Sequence, residues 1–184
     1  MSAELRALLQ QGHSARSKGR PDDALRAFED AITLAKKSGA KEELVHALKG
    51  HGQIERDLGR TAAAKARYQQ ATDECRTFAD ALLLAHTIRH LADIHSDQNE
   101  FALAEPLYRE VLTLYRSNLG TSVLDLANAV RPFAILLEST GRHAEAKDAC
   151  PDPSRPATKA VPQIYDDGSP LGKTSPGLTA TDRA

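Results

Sequence analysis

The sequence predicts an all-α protein, a right-handed α-solenoid of antiparallel helix pairs. A turn residue recurs at nearly constant spacing, at Gly19, Gly59, Asn99 and Gly141, with intervals of 40, 40 and 42 residues. After each of the first three turns, small and large apolar residues alternate at helical spacing, as in Ala24, Phe28 and Ala31. Self-similarity at one period is the signature of a repeat array. Ala and Leu must build the core, because aromatic residues are only 4% of the chain and Trp is absent.

The repeats are predicted at residues 3–39, 41–79, 81–118 and, incompletely, 123–150, which gives about 3.5 repeats within residues 1–150. Pro21 suits the first position of a helix that follows a turn. In the second repeat, the first predicted helix has few apolar residues and carries His51 and Glu55, and we expect both to be partly exposed. Pro106 and Pro132 lie inside predicted helices; Pro106 is expected to bend its helix slightly rather than break it.

The composition changes at Pro151. Six of the nine prolines lie in residues 151–184, which also carry Ser, Thr, Gly and Asp without a helical period, so a disordered tail is predicted there. The last predicted helix is short and would leave Val130, Phe133 and Leu137 under-covered. Three explanations are open: the tail folds back through its own apolar residues, a partner or second copy covers the face, or the chain is a truncated product of a longer repeat gene, which we favour.

The repeating residues resemble those of the tetratricopeptide repeat, TPR. Counting the turn residue as position fifteen, position eight is small, at Gly12, Gly52, Ala92 and Ala134, and position twenty is always Ala. The common form of this repeat has a period of about 34 residues. The longer period here, and the stretch FALAEPLYREVLTLYRSNLG, are similar to the 42-residue repeats of the kinesin light chain family. These signature residues serve packing, and the resemblance implies a protein-interaction array.

Composition excludes several classes of function. The formal net charge of -1 gives no general argument for binding nucleic acid or an anionic membrane. Cys75 and Cys150 lie far apart, without metal or redox spacing. No stretch of 18 apolar residues is present, so a cytoplasmic protein is expected. There is no Gly-rich phosphate loop or nucleophile motif, and the sequence predicts no enzyme and no cofactor.

The resemblance implies that the first helix of each repeat lines a concave groove. Position five of that surface is basic in three successive repeats, at Lys49, Arg89 and Arg131, which are the predicted charge anchors. Secondary contacts are expected from other groove positions: Arg16, Arg56, Gln53, His86, His90 and Asn128. These side chains favour an acidic peptide, because Arg and Lys pair with carboxylates. Ordinary solvated helix faces are the alternative.

Several finer patterns were weighed at this surface. The Lys and Asn pair of the carboxylate clamp is not matched, because the corresponding residues are Leu9 with His13, or Lys49 with Gln53. His86 and His90 are four residues apart and could chelate a metal, but two ligands are too few, and no metal site is predicted. We expect groove histidines to add positive charge below about pH 6.5.

The sequence thus predicts a non-enzymatic scaffold that binds an acidic protein or peptide segment in its concave groove. The alternatives are a module that self-associates, as a homodimer, through the incompletely capped fourth repeat, or a fragment of a longer TPR protein. An RNA-binding array is disfavoured because the groove positions offer no aromatic residue for stacking.

Overall fold

A computed structural model describes residues 2–149, and these belong to one compact unit of the chain. They form eight α-helices and no strand: α1 Ala3–Ser17, α2 Pro21–Ser38, α3 Lys41–Asp57, α4 Thr61–Cys75, α5 Ala81–Asp97, α6 Phe101–Ser117, α7 Val123–Ser139 and α8 His143–Ala149. Each odd-numbered helix packs against the even-numbered helix that follows it, and α2, α4 and α6 pack against the next pair. The predicted α-solenoid of helix pairs is confirmed.

The four turns within the helix pairs share one backbone conformation. Gly19, Gly59, Asn99 and Gly141 all have positive φ, between 59° and 78°. In the first turn, the Arg20 N–H donates to the Ala15 carbonyl at 2.9 Å and the Gly19 N–H to the Arg16 carbonyl at 3.0 Å. This pair of bonds is the Schellman motif, which ends a helix where a residue adopts the left-handed conformation. The equivalent bonds recur in the other three turns, so the spacing of these residues sets the helix pairs.

Packing in the first repeats depends on two glycines around one aromatic ring. Phe28 is fully buried. A Cβ added at Gly12 in α1 would lie 2.7 Å from its ring, and one added at Gly50 in α3 would lie 2.4 Å from it. Neither position has room for a side chain, and the absence of one lets α1, α2 and α3 approach closely.

Two expectations about burial are wrong. His51 and Glu55 are buried, at 7% and 8% exposure, rather than partly exposed. A guanidinium nitrogen of Arg60 lies 3.4 Å from the Glu55 carboxylate. This opposite charge offsets part of the cost of burying the carboxylate. Val130, Phe133 and Leu137 are also buried, at 4%, 4% and 1% exposure, so they are not left under-covered.

Both internal prolines are accommodated. α6 continues through Pro106 and α7 continues through Pro132, so neither residue breaks its helix. The predicted tail, residues 151–184, lies outside the described residues, and the domain boundary at residue 150 stays a prediction.

Candidate functional site

A pocket of about 190 Å³ lies where the first three repeats meet. We call it the basic pocket; it is lined by His13 and Arg16 from α1, His46, Lys49, Gly50 and Gln53 from α3, Tyr68 from α4 and His90 from α5. No carboxylate is among these lining residues. The pocket therefore presents cations, imidazoles and an amide to any group that enters it.

Lys49 is the cation of the pocket without a salt-bridge partner. It is half-buried, and no carboxylate of the described residues forms an ion pair with it. Burial is the largest cause that lowers the pKa of Lys49 to about 8; Cys75 opposes it, the Arg89 guanidinium adds to the lowering, and Asp80 opposes it more weakly. A buried cation with a lowered pKa gains free energy when an anion binds beside it.

His90 forms the opposite wall and is held in one orientation. Its ring stacks on Tyr68, with centroids 5.1 Å apart and an interplanar angle of 18°. Its Nε2 lies 3.4 Å from a guanidinium nitrogen of Arg89. Because a guanidinium only donates, we assign Nε2 as the acceptor, which places the proton of the neutral ring on Nδ1. That Nδ1 is buried and has no hydrogen-bond partner.

The charge state of His90 follows from its surroundings. Burial, and then the positive charges of Arg89 and Lys49, lower the pKa of His90 to about 2. The ring is therefore neutral at physiological pH and does not add positive charge to the pocket.

Arg16 and Gln53 are positioned by an acidic residue outside the pocket lining. Arg16 Nε donates to Asp57 Oδ2 at 2.8 Å, and Gln53 Nε2 donates to Asp57 Oδ1 at 2.8 Å. The hydroxyl of Tyr68 donates to Gln53 Oε1 at 3.2 Å. Because only Nε of Arg16 is used in this bond, its two terminal nitrogens remain available to a ligand.

The Arg16 pair is repeated one repeat later. Arg56 donates to Asp97 at 2.5 Å, with both residues at the same repeat positions as Arg16 and Asp57. Serine at position 96 replaces the arginine in the third repeat, and the series ends there. Arg89 is likewise paired, with Asp93 at 2.9 Å. These ion pairs reduce the positive charge that Arg56 and Arg89 offer to a ligand.

The remaining predicted site residues lie away from the basic pocket. His86 Nε2 lies 3.0 Å from Asp125 Oδ1, and its ring contacts Tyr115 edge-on. Asn128 and Arg131 are exposed on α7 and do not line the pocket. The structure therefore brings together Arg16, Lys49, Gln53 and His90, with Arg89 behind His90. It does not bring the three basic residues of position five into one site.

Four residues that line the pocket were absent from the predicted site: His13, His46, Gly50 and Tyr68. Helical spacing marks two of them, because the residues at 46, 49, 50 and 53 share one face of α3. Tyr68 stands 40 residues after Phe28, at the same repeat position; its ring is fully buried and also forms part of the pocket wall.

The expectation that the histidines charge near pH 6.5 is wrong for three of them. Burial is the largest cause that lowers the pKa of His13, His46 and His90. Arg16 adds to the effect at His13, and Lys49 adds to it at His46. These histidines therefore gain charge only at more acidic pH.

Within residues 2–149, no group of three or more His, Cys, Asp or Glu side chains is arranged to hold a metal ion. His86, His90 and Asp93 instead contact Asp125, Tyr68 and Arg89, respectively. None of the described helices is both long enough and apolar enough to cross a membrane.

Comparison with known proteins identifies the family. Two family models described as tetratricopeptide repeat match residues 4–75 and 84–122, together more than half of the chain. No curated protein sequence matches it.

Solved structures share its fold at low sequence identity. The crystal structure of BtubC (BKLC) from P. vanneervenii is 15% identical, with a TM-score of 0.71 over 85% of this chain and 70% of that one. MamA is 16% identical, with a TM-score of 0.59 over 79% and 73% of the two chains. A putative kinesin light chain from Podosopora anserina with nearly identical TPR-like repeats is 14% identical, with a TM-score of 0.63 over 81% and 74%. The chain belongs to the tetratricopeptide repeat family, and its fold is that of the kinesin-light-chain-like repeat proteins.

Proposed function

We propose that this protein is a non-enzymatic interaction module that holds an acidic segment of a partner protein in its concave groove. We define the groove as the surface formed by the exposed sides of α1, α3, α5 and α7. Tetratricopeptide repeats generally mediate interactions between proteins. The observation that supports the acidic specificity is the basic pocket: eight residues line it, none of them has a carboxylate, and no carboxylate within residues 2–149 forms an ion pair with Lys49.

Lys49 is the main anchor in this proposal. A carboxylate beside its ammonium compensates a charge that is costly to bury, and the pKa of Lys49 rises on binding. The terminal nitrogens of Arg16 supply a second contact on the α1 side of the pocket. Gln53 holds Tyr68, and together with Arg16 it contacts Asp57, so it keeps this side of the pocket in place.

The other predicted residues act further along the groove. Arg89 orients His90 and, with Arg56, contributes long-range positive potential despite the ion pairs each forms. His86, Asn128 and Arg131 lie toward the fourth repeat and contact the rest of the bound segment in this proposal. A partner in the same cytoplasmic compartment is expected.

Peptide binding tests the proposal. Fluorescein-labelled pools of ten-residue peptides rich in Asp and Glu are compared with pools in which Asn and Gln replace the acids. We expect saturable binding of the acidic pool alone, measured by fluorescence anisotropy. Lys49→Met weakens it about tenfold, which is the loss expected when one charge-assisted contact disappears.

Lys37→Met is the matched control, since Lys37 is exposed at the end of α2, away from the groove. It should bind the acidic pool as the wild-type protein does. Equal binding of the acidic and amide pools, or equal losses for the two variants, would overturn the proposal.

A further inference from the structure

The basic pocket has unused hydrogen-bond donors on three of its sides. Within residues 2–149, no carboxylate forms an ion pair with Lys49 of α3, and Arg16 of α1 uses only Nε in its bond to Asp57. His90 of α5 carries a buried Nδ1 to which no described residue is hydrogen-bonded. Residues of three helices that retain unused donors thus line one volume of about 190 Å³.

We propose that the basic pocket binds a phosphoryl group, so that the groove recognises a phosphorylated serine or threonine of its partner in preference to aspartate or glutamate. This inference rests on the proposed function, because it specifies which acidic group enters the same pocket.

The number and placement of the donors favour a phosphoryl group over a carboxylate. A carboxylate is planar and offers two oxygens, which a single arginine or lysine can satisfy. A phosphoserine offers three acceptor oxygens in a tetrahedral arrangement and carries more negative charge near neutral pH. Three donors from α1, α3 and α5 match the three terminal oxygens of such a group one to one, whereas a carboxylate must share its two oxygens among them.

The state of His90 supports the same conclusion. Its Nε2 is occupied by Arg89, and its ring is fixed against Tyr68. The Nδ1–H is therefore a preorganised donor, and a buried donor without a partner is unfavourable until a ligand satisfies it. His90 is neutral, so its contribution is a hydrogen bond with a defined direction, which distinguishes it from a general positive potential.

The neighbouring charges also suit an anion with more than one negative charge. Three acids beside the pocket each contact a basic side chain: Asp57 contacts Arg16, Asp93 contacts Arg89, and Glu42 lies 3.8 Å from His46. His13 and His46 line the pocket as well, and a dianion beside them favours their protonated forms. The pocket can thereby add positive charge as the phosphoryl group enters.

Three peptide pools test this inference. They share degenerate flanking residues and differ only at a fixed central position, which is serine, phosphoserine or glutamate. Binding to the full chain is measured by fluorescence anisotropy. We expect the phosphoserine pool to bind about tenfold more tightly than the glutamate pool, and the serine pool to bind least.

The outcomes separate the two proposals. If the glutamate pool binds as tightly as the phosphoserine pool, the preference for phosphate is wrong while the proposed function stands. If no pool binds, both fail. Inorganic phosphate has the same acceptor oxygens as the phosphoserine side chain, and its binding alone is measured by calorimetry. If it binds while the phosphoserine and serine pools bind equally, the pocket takes the free ion and the inference about a peptide is overturned.

His90→Phe tests the role assigned to the Nδ1–H donor of His90. Phenylalanine preserves an aromatic ring against Tyr68 but removes Nδ1–H, and it should abolish most of the phosphoserine preference, because binding of the phosphoserine pool weakens more than binding of the glutamate pool. Lys49→Met should weaken both, and Lys37→Met neither. An unchanged preference in His90→Phe, with its circular dichroism spectrum retained, would contradict the proposal.

Discussion

At the scale of single residues, Lys49 favours the proposed binding of an anion but lowers the stability of the free protein. Its ammonium is half-buried in a pocket that already holds Arg16, and Arg89 lies behind the wall. Burial without an opposite charge lowers the pKa of Lys49 to about 8 from an ordinary value of 10.5. The free protein therefore keeps this residue charged at pH 7 at a cost in folding free energy, which a bound anion would offset.

Replacing Lys49 should therefore make the protein more stable. We expect Lys49→Met to raise the free energy of unfolding at pH 7 by up to about 3 kcal/mol, because each unit of pKa shift corresponds to about 1.4 kcal/mol. Urea denaturation followed by circular dichroism measures the change. The same variant loses binding in the proposed function, so a gain in stability would accompany the loss of affinity.

The sign of the pH dependence gives a second check on this variant. Between about pH 8 and 10.5 the unfolded chain holds a proton on Lys49 that the native protein has released, so the stability of the wild-type protein rises with pH there. Lys49→Met lacks this contribution to the pH dependence of stability. Its advantage should be greatest below pH 8 and should disappear by about pH 10.5; an advantage that is constant across pH would contradict the interpretation.

At the scale of helices, Phe28 is the contact that fixes how the first two repeats stack. Its ring lies between the backbones of α1 and α3, at Gly12 and Gly50. An alanine at Gly50 would favour the helix by about 1 kcal/mol through intrinsic propensity. Its Cβ, however, would lie 2.4 Å from the ring, which must then move out of a fully buried position.

We expect the steric effect to exceed the gain in propensity. Gly50→Ala should lower the free energy of unfolding by about 1–3 kcal/mol, the usual range for overpacking a core. Combining it with Phe28→Leu tests the cause, because the smaller side chain makes room for the added methyl group. The double variant should be more stable than the sum of the single changes predicts; strict additivity would show that the two positions do not contact.

The helix boundaries were predictable from the sequence because they depend on local backbone conformation. α3 and α7 begin where the second and fourth repeats were predicted to begin, and each ends two residues before a residue with positive φ, Gly59 or Gly141. α4 ends at Cys75, before the predicted end of the second repeat at residue 79. There the Thr77 hydroxyl donates to the Glu74 carbonyl, so a turn replaces the last helical residues. Such competition between a side-chain hydroxyl and the helical backbone for a carbonyl group is hard to predict from the sequence alone.

The candidate site was only partly predictable. One face of α3 identified Lys49 and Gln53, because helical spacing alone places them together. The partners that change a residue's charge come from other repeats, as Asp57 does for Arg16 and Asp97 for Arg56. Those contacts depend on how successive repeats rotate and shift against each other, and no single repeat encodes that geometry.

At the scale of the described array, the repeats are coupled unevenly. One apolar cluster joins α5 to α8, whereas others lie mainly within α1 to α4. A small cluster of Ala64, Tyr68, Leu91 and Ile94 bridges the second and third repeats. Stability in repeat arrays is approximately a sum of terms within repeats and between neighbours. We expect this bridge, together with Leu83 of α5, which packs in the cluster of α1 to α4 residues, to couple the unfolding of the two halves.

Tyr68→Ala should separate the unfolding of the two halves. The change removes a fully buried ring, the stack on His90 and the bond to Gln53, at an expected cost of about 3–5 kcal/mol. We expect the single urea transition of the wild-type protein to become two transitions. Hydrogen exchange followed by mass spectrometry should then show α1 to α4 opening separately from α5 to α8.

Ile88→Ala is the matched control, because Ile88 is equally buried but belongs to the cluster within α5 to α8. It should lower stability by about 2–5 kcal/mol while leaving the coupling between the second and third repeats intact. Its unfolding should remain a single transition with an unchanged denaturant dependence. A single transition in Tyr68→Ala, or two in Ile88→Ala, would show that the contact that couples the two halves lies elsewhere. Splitting that occurs only in Tyr68→Ala would show that the residue that stacks on His90 also couples the two halves.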